Sequence, residues 1–327
     1  MTRPDPAIPR GGATPDLAAV ARRAGVSAAT ASRVLSGRGP ASTASRDAVR
    51  RAAAELGYVP HPVARRLARG SGTRILFAVR DRRTGIVHDP YVTRAAAAMA
   101  AAVDPDSLGV TLRRLPLAAS AALETIAADR SIAAVVLAGH DRDLLEHLPA
   151  GLRGRTAAIG TGGADVDSAA GIGALLRHLH DTGRRRIALV SGPRWLAASG
   201  APLRAYTELT RAAGLPSRVV AGDFTAERGR AAAVTVLRRW PDTDAIATVS
   251  DATAVGVLLG LAAAGIRVPL DIAVTGFDDI PLVSAYPGLS TATHPVEPIA
   301  QAAARAALGA PAPDRLFPSR PVLRATA

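Results

Sequence analysis

Residues 16–36 read DLAAVARRAGVSAATASRVLS, and this stretch decides the fold of the N-terminal part of the chain. Asp16 is placed to cap a helix over 17–24, whose apolar side is Leu17, Val20, Ala21 and Ala24. Gly25 breaks that helix. Ser27 then serves as a second cap and opens a helix to about Leu35, with Ala31, Val34 and Leu35 facing inward. Two helices joined by a tight glycine turn predict a helix-turn-helix. Ala21 falls where the helices cross and only a small side chain fits. Gly25, four residues on, supplies the positive φ of the turn. Val26 plugs the space beneath it. Ser27 presents an amide and a hydroxyl suited to a phosphate.

Working outward, Ser36-Gly37 ends the second helix and 38–40 is a loop. Ser42 caps a third helix that runs through Val49, Ala52, Ala53 and Leu56 and stops at Gly57. Residues 1–13, with three prolines, read as a disordered tail, so the all-α DNA-binding head spans 14–58. Residues 59–72 form a hinge or linker. Their Val-Ala-Arg-Arg-Leu-Ala-Arg centre can make two helical turns, too few to hold alone in water.

Charge singles out the same segment. The chain has 327 residues and a net charge of +13, and all 40 basic residues are Arg. Residues 1–72 hold 12 Arg and 4 acids, a net of +8, whereas 73–327 hold 28 Arg and 23 acids, a net of +5. A compact basic head on a nearly neutral body predicts a polyanion partner. With no Cys, disulfides, thiolate metal sites and Cys nucleophiles are excluded. No apolar run reaches the roughly 18 residues of a membrane helix. The N-terminus lacks the apolar core of a secretory signal, which predicts a cytoplasmic protein with no membrane partner.

From Arg74 onward short apolar runs alternate with Ala-rich helical stretches. Strands are predicted at 75–79, 110–115, 134–137, 156–159, 187–190, 218–220, 245–249 and 272–275. Helices are predicted at about 91–103, 119–129, 169–182, 201–213, 226–239, 252–264 and 295–307. This β-α alternation implies parallel sheets covered by helices, as one large sheet or, preferably, two similar lobes with a ligand cleft at the strand C-termini. The core is then 73–327, with one lobe at about 73–182 and 292–310 and the other at about 183–291 and 311–327.

The order of these features resembles the lactose-repressor-like (LacI/GalR) family of transcription factors. The resemblance is carried by the head, the hinge and the first core strand over 16–79. Further along it is carried by HLHDTGRRRIALVSGP (178–193), AGDFTAERG (221–229), GIRVPLDIAVTGFDDIPL (265–282) and the closing PVLRATA. It implies a type-1 periplasmic-binding-protein-like core of two lobes and a dimer, or a tetramer, on a near-palindromic double-stranded DNA operator. It also implies a small sugar-like or nucleoside-like effector between the lobes. Carried over residue by residue, it assigns base reading to Ala28, Ala29 and Arg33, of which Arg33 can grip a guanine edge. Ser27, Thr30 and Ser42 match phosphate contacts. Leu67 matches a minor-groove wedge flanked by Arg65 and Arg66. In the core, Tyr91, Phe224, Ser250, Asp251 and Asp278 match effector contacts, whereas Asp279 is expected to be structural.

The chain departs from the family pattern at three places. Ala201-Pro202 stands where many relatives carry an effector-gripping Arg, with Arg194 and Arg204 as the nearest substitutes. Ser250 replaces Asn, and His294 replaces Gln. A DNA-binding regulator without effector response therefore stays open, as does a transporter's solute-binding protein on the core alone. Gly160–Gly163 and Gly171–Gly173 lack the context of a dinucleotide or P-loop site. His140/His147 and His178/His180 read as surface or satisfied histidines, not metal ligands. No catalytic constellation and no cofactor site emerge, so an enzyme is not expected.

Overall fold

The computed structural model describes residues 16–36, 40–58, 72–281, 285, 288–311 and 316–327, in two compact units that divide between Gly70 and Ser71. Arg65, Arg66 and Leu67 lie outside the described residues.

The first unit has three helices: α1 (Leu17–Ala24), α2 (Ala28–Ser36) and α3 (Thr43–Glu55). Val20, Ala21, Ala31, Val49, Ala52 and Ala53 form its core, with Val26, Val34 and Leu35 packed at the margin. Gly25 sits at φ 67°, so the turn needs the left-handed backbone that Gly adopts without cost. The Val26 amide donates back to the Ala21 carbonyl at 3.0 Å and fixes the turn beneath the crossing.

The second unit is built by β-α alternation. Its first lobe contains β1 (Arg74–Arg80), α4 (Pro90–Val103), β2 (Gly109–Leu115), α5 (Ser120–Ala128), β3 (Ile132–Ala138), α6 (Arg142–Glu146) and β4 (Thr156–Ala158). The chain then passes through β5 (Asp165–Val166) into the second lobe. That lobe holds α7 (Ser168–Asp181), β6 (Ile187–Ser191), α8 (Gly200–Ala212), β7 (Arg218–Ala221), α9 (Ala226–Arg239), β8 (Ala245–Thr248), α10 (Asp251–Ala263) and β9 (Ala273–Thr275). It returns through β10 (Thr291–Ala292) to α11 (Val296–Ala307), which packs on α4, and ends in β11 (Leu316–Phe317) and β12 (Pro321–Val322).

Each lobe carries a four-stranded parallel sheet, in the orders β2-β1-β3-β4 and β7-β6-β8-β9. The repeated order makes two lobes of one plan, not one large sheet. β1, β3 and β6 are buried almost end to end, as strands covered on both faces must be. The crossing segments pair with one another: β5 runs parallel to β11, and β10 antiparallel to β12. One boundary differs from expectation. α7 packs on α8 and contacts β8, β10 and β12, so the first crossing comes at β5 and not near residue 182.

Candidate functional sites

On the head, the residues predicted to face DNA share one exposed surface. Ala28, Ala29 and Arg33 are exposed on α2 and Ser27 just before it, with Thr30 half-buried beside them. Ser27 Oγ accepts the Thr30 amide at 3.1 Å, and the two hydroxyls lie 2.9 Å apart. The Arg33 guanidinium folds along its own helix and donates to the Ala29 carbonyl at 3.3 Å and to Thr30 Oγ1 at 3.4 Å. These are long, exposed bonds that a base edge or phosphate can replace. Ser42 caps α3, accepting the Ser45 amide at 3.1 Å. The exposed Arg23–Glu55 pair at 2.8 Å links α1 to α3 and contributes little.

In the second unit a cleft of about 200 Å³ opens where the strands of both sheets end. Arg80 and Asp81 enter it from the end of β1, Gly139 follows β3, Ser250 follows β8, and Phe277 and Asp278 follow β9. Gly139 (φ 71°) is required there, because a side chain would strike the Arg80 carbonyl. Two non-glycine residues of the lining hold left-handed backbone, Phe224 at φ 68° and Asp278 at φ 111°. Strain of this kind persists where the surroundings over-determine it and concentrates at binding sites.

Tyr91, Trp195, Phe224, Phe277 and His294 supply the aromatic walls. The His294 ring lies 4.9 Å from that of Tyr91 and 5.7 Å from that of Phe277. His294 Nδ1 donates to Asp278 Oδ1 at 3.0 Å, so that carboxylate is held before any ligand arrives. Burial raises the Asp278 carboxyl above its ordinary range, and the His294 hydrogen bond opposes the rise. Asp89 and Asp165 are likewise raised, chiefly by burial. Burial also pushes the Tyr91 phenol up, and the neighbouring Asp165, Asp278 and Asp89 add to the rise. The cleft is thus an aromatic slot edged by buried carboxylates, a composition suited to a small ligand rich in hydroxyl groups.

Of the predicted effector residues, Tyr91, Phe224, Ser250 and Asp278 line this cleft. Ser250 is only 5% exposed, and its Oγ caps α10 by accepting the Thr253 amide at 3.2 Å. Asp251 is a correction. It is fully buried outside the lining, and its carboxylate accepts Thr291 Oγ1 at 2.6 Å and the Ile280 amide at 2.8 Å. One residue of helical rotation turns it from the cleft toward the crossing strands, which it ties down. Asp279, expected to be structural, accepts a bond from Arg324 at 2.7 Å. Arg194 and Arg204 are absent from the lining, and buried Pro202 occupies that wall.

The sequence reading missed Trp195, Arg83, Asp89 and Asp165. It noted His294 only as a departure. Among the described residues no cluster of His, Asp and Glu has the makings of a metal site, and no helix is long and apolar enough to cross a membrane.

Comparison with known proteins bears on both units. Residues 16–61 match the model of bacterial regulatory proteins of the lacI family, and residues 176–326 match a periplasmic binding protein-like domain. The chain is 31% identical to the HTH-type transcriptional regulator CelR of Thermobifida fusca over 89% of its own length and 90% of the relative's. It is 28% identical to the HTH-type transcriptional repressor CytR of Escherichia coli over 84% of each chain. Among solved structures it resembles a CelR–cellobiose complex, with a TM-score of 0.68, 28% identity, and coverage of 96% of this chain and 100% of that one. It also shares the fold of the lac repressor dimer bound to operator and anti-inducer, with a TM-score of 0.80 at 23% identity over 94% and 97% of the two chains.

Proposed function

Since the chain belongs to the lacI family of bacterial transcriptional regulators, we propose that it represses transcription as a dimer on a near-palindromic operator and that a small sugar in the cleft of the core tunes its affinity. The relatives are regulators and not enzymes, and this chain is a regulator as they are. In this reading α2 enters the major groove. Arg33 reads a guanine, Ala28 and Ala29 offer methyl contact to thymines, and Ser27, Thr30 and Ser42 fix register on phosphates. Leu67 from each subunit wedges a central base step, with Arg65 and Arg66 on the neighbouring phosphates. With so few base-reading side chains, DNA shape carries part of the specificity.

The observation that carries the sugar reading is the cleft itself, where His294 holds Asp278 between aromatic rings at the strand ends of both lobes. A ligand that favours one arrangement of the lobes shifts the population of DNA-binding conformers. The named relatives support the class, since one was solved with cellobiose.

The test is selection of bound DNA from a random pool at fixed salt, followed by a screen of sugars and nucleosides against the enriched fragment. An enriched near-palindrome that a sugar releases or tightens is the expected result. Salt-sensitive binding without enrichment contradicts sequence reading. Enrichment that no small molecule perturbs contradicts effector control.

A further inference from the structure

We propose that this cleft selects against ligands that carry negative charge, and that Asp81 sets this specificity by withholding Arg83. The inference rests on the effector reading above and names the chemistry of the effector.

The arginines of the lining are already engaged within the protein. Two arginines line the cleft, Arg80 and Arg83. All three guanidinium nitrogens of Arg83 are engaged. Nε and Nη2 donate to the two oxygens of Asp81 at 3.2 Å each, and Nη1 donates to Asp89 at 3.5 Å. Asp81 is buried and also accepts the Arg83 amide at 2.6 Å, so backbone and side chain are clasped by one carboxylate. Arg80 is turned away as well, with Nη1 on Asp141 at 2.7 Å and Nε on the Leu117 carbonyl at 2.9 Å. The glycine loop at 160–163 offers little to an anion either. The Gly160 and Gly163 amides already donate to the Ala164 and Gly160 carbonyls.

What remains for a ligand is a pair of buried carboxylates beside neutral donors such as the Ser199 hydroxyl, which is buried and has no partner among the described residues. Asp165 takes the Val166 amide on Oδ1 at 2.8 Å and makes no other hydrogen bond among the described residues. Asp278 takes His294 on Oδ1. Nδ1 of His294 is taken up by that carboxylate. Burial raises both carboxyls, and the neighbouring His294 opposes the rise in each. A ligand that donates O–H or N–H satisfies these acceptors. A phosphate or carboxylate brings more negative charge beside these buried carboxylates, and the charges of both arginines are already matched by aspartates.

Tryptophan fluorescence of the full-length protein tests this, because Trp195 lines the cleft and the only other Trp, Trp240, belongs to the second unit. The probes are hexoses, pentoses and disaccharides, each beside its phosphate ester and its uronic acid, and inorganic phosphate alone. In the wild type we expect binding within the neutral set and at least about tenfold weaker binding of each charged counterpart. A phosphate ester or uronic acid that binds as tightly as its neutral parent overturns the charge selection.

Asp81→Asn weakens the clasp on Arg83. It should narrow the gap about tenfold and give inorganic phosphate a fluorescence response that the wild type lacks. Arg83→Ala added to Asp81→Asn should abolish that response. A merely structural role for Asp81 predicts no gain of phosphate binding, and that outcome overturns its assignment. The wild-type comparison needs no variant, so the charge selection stays testable if Asp81→Asn does not fold. If no sugar of any kind binds, the effector reading fails. The phosphate response of wild type and variant still decides this proposal.

Discussion

The head and the cleft are assembled in opposite ways. The head is local: the bond that fixes its turn joins Val26 to Ala21, and its six core residues lie within 34 positions of one another. The cleft is remote: Tyr91, Phe224, Asp278 and His294 come from four separate segments, and they meet because two sheets of the same order end at one place. A local device can be lost or rebuilt by itself, whereas a remote one depends on the whole core. Damage to the head should therefore leave ligand binding intact. Damage to the strands that cross between the lobes should disturb the cleft first.

The largest expected effect breaks the remote side. Asp251→Ala removes the buried carboxylate that accepts the Thr291 hydroxyl and the Ile280 amide, at a cost of about 3 kcal/mol. Calorimetric melting should show the core transition falling while the head still binds DNA non-specifically. The same residue gives a pH signature. Burial first, and the Asp278 charge second, push Asp251 up to about 7. The folded state thus holds the proton more tightly than the unfolded chain, whose Asp titrates near ~3.9. Its contribution to stability is fully present at low pH and is lost as pH rises from about 4 to about 7. His140, pushed down by burial, works in the opposite sense on acidification. The difference in melting temperature between wild type and Asp251→Asn across that range isolates the Asp251 contribution and should be largest at its acid end.

Next, Val49→Ala opens a hole in a very small core and should cost the head about 2 kcal/mol. So small a domain has little stability to spare, so sequence-specific DNA binding should collapse while sugar binding persists. Loss of both would break the comparison. Arg33→Ala should weaken operator binding by about 1.5 kcal/mol and relax preference at one base pair per half-site. An unchanged preference, read by repeating the DNA selection, would assign Arg33 to phosphate contact alone. Smallest is Asp16→Ala, which removes the acceptor of the Ala19 amide and should cost about 1 kcal/mol of head stability by thermal melting.

These contrasts also explain what the sequence made legible. Helix bounds in the head follow from caps and a glycine a few positions apart, so Asp16, Gly25 and Ser42 marked them directly. The main core strands announced themselves as apolar runs. β5, β10, β11 and β12 are two residues each and α6 is five, too short for any periodicity, so the crossings between the lobes were not visible. Ser250 and Asp251 are adjacent, and no pattern in one chain tells which of them faces the cleft. The clasp of Arg83 by Asp81 is likewise unreadable, since a charged pair near a strand end looks the same whether it meets a ligand or itself.

The central claim is that the head reads DNA and the cleft reads a metabolite, as separable sites joined by one equilibrium. It is tested most directly by the affinity of the full-length protein for its selected operator at fixed salt. That affinity would be measured with and without the neutral sugar that perturbs it, in wild type and in Asp278→Asn. The account predicts equal sugar-free affinities and a sugar response that only the wild type shows. Sugar-free binding weakened by Asp278→Asn as much as by Arg33→Ala, or equal sugar responses in both proteins, would contradict it.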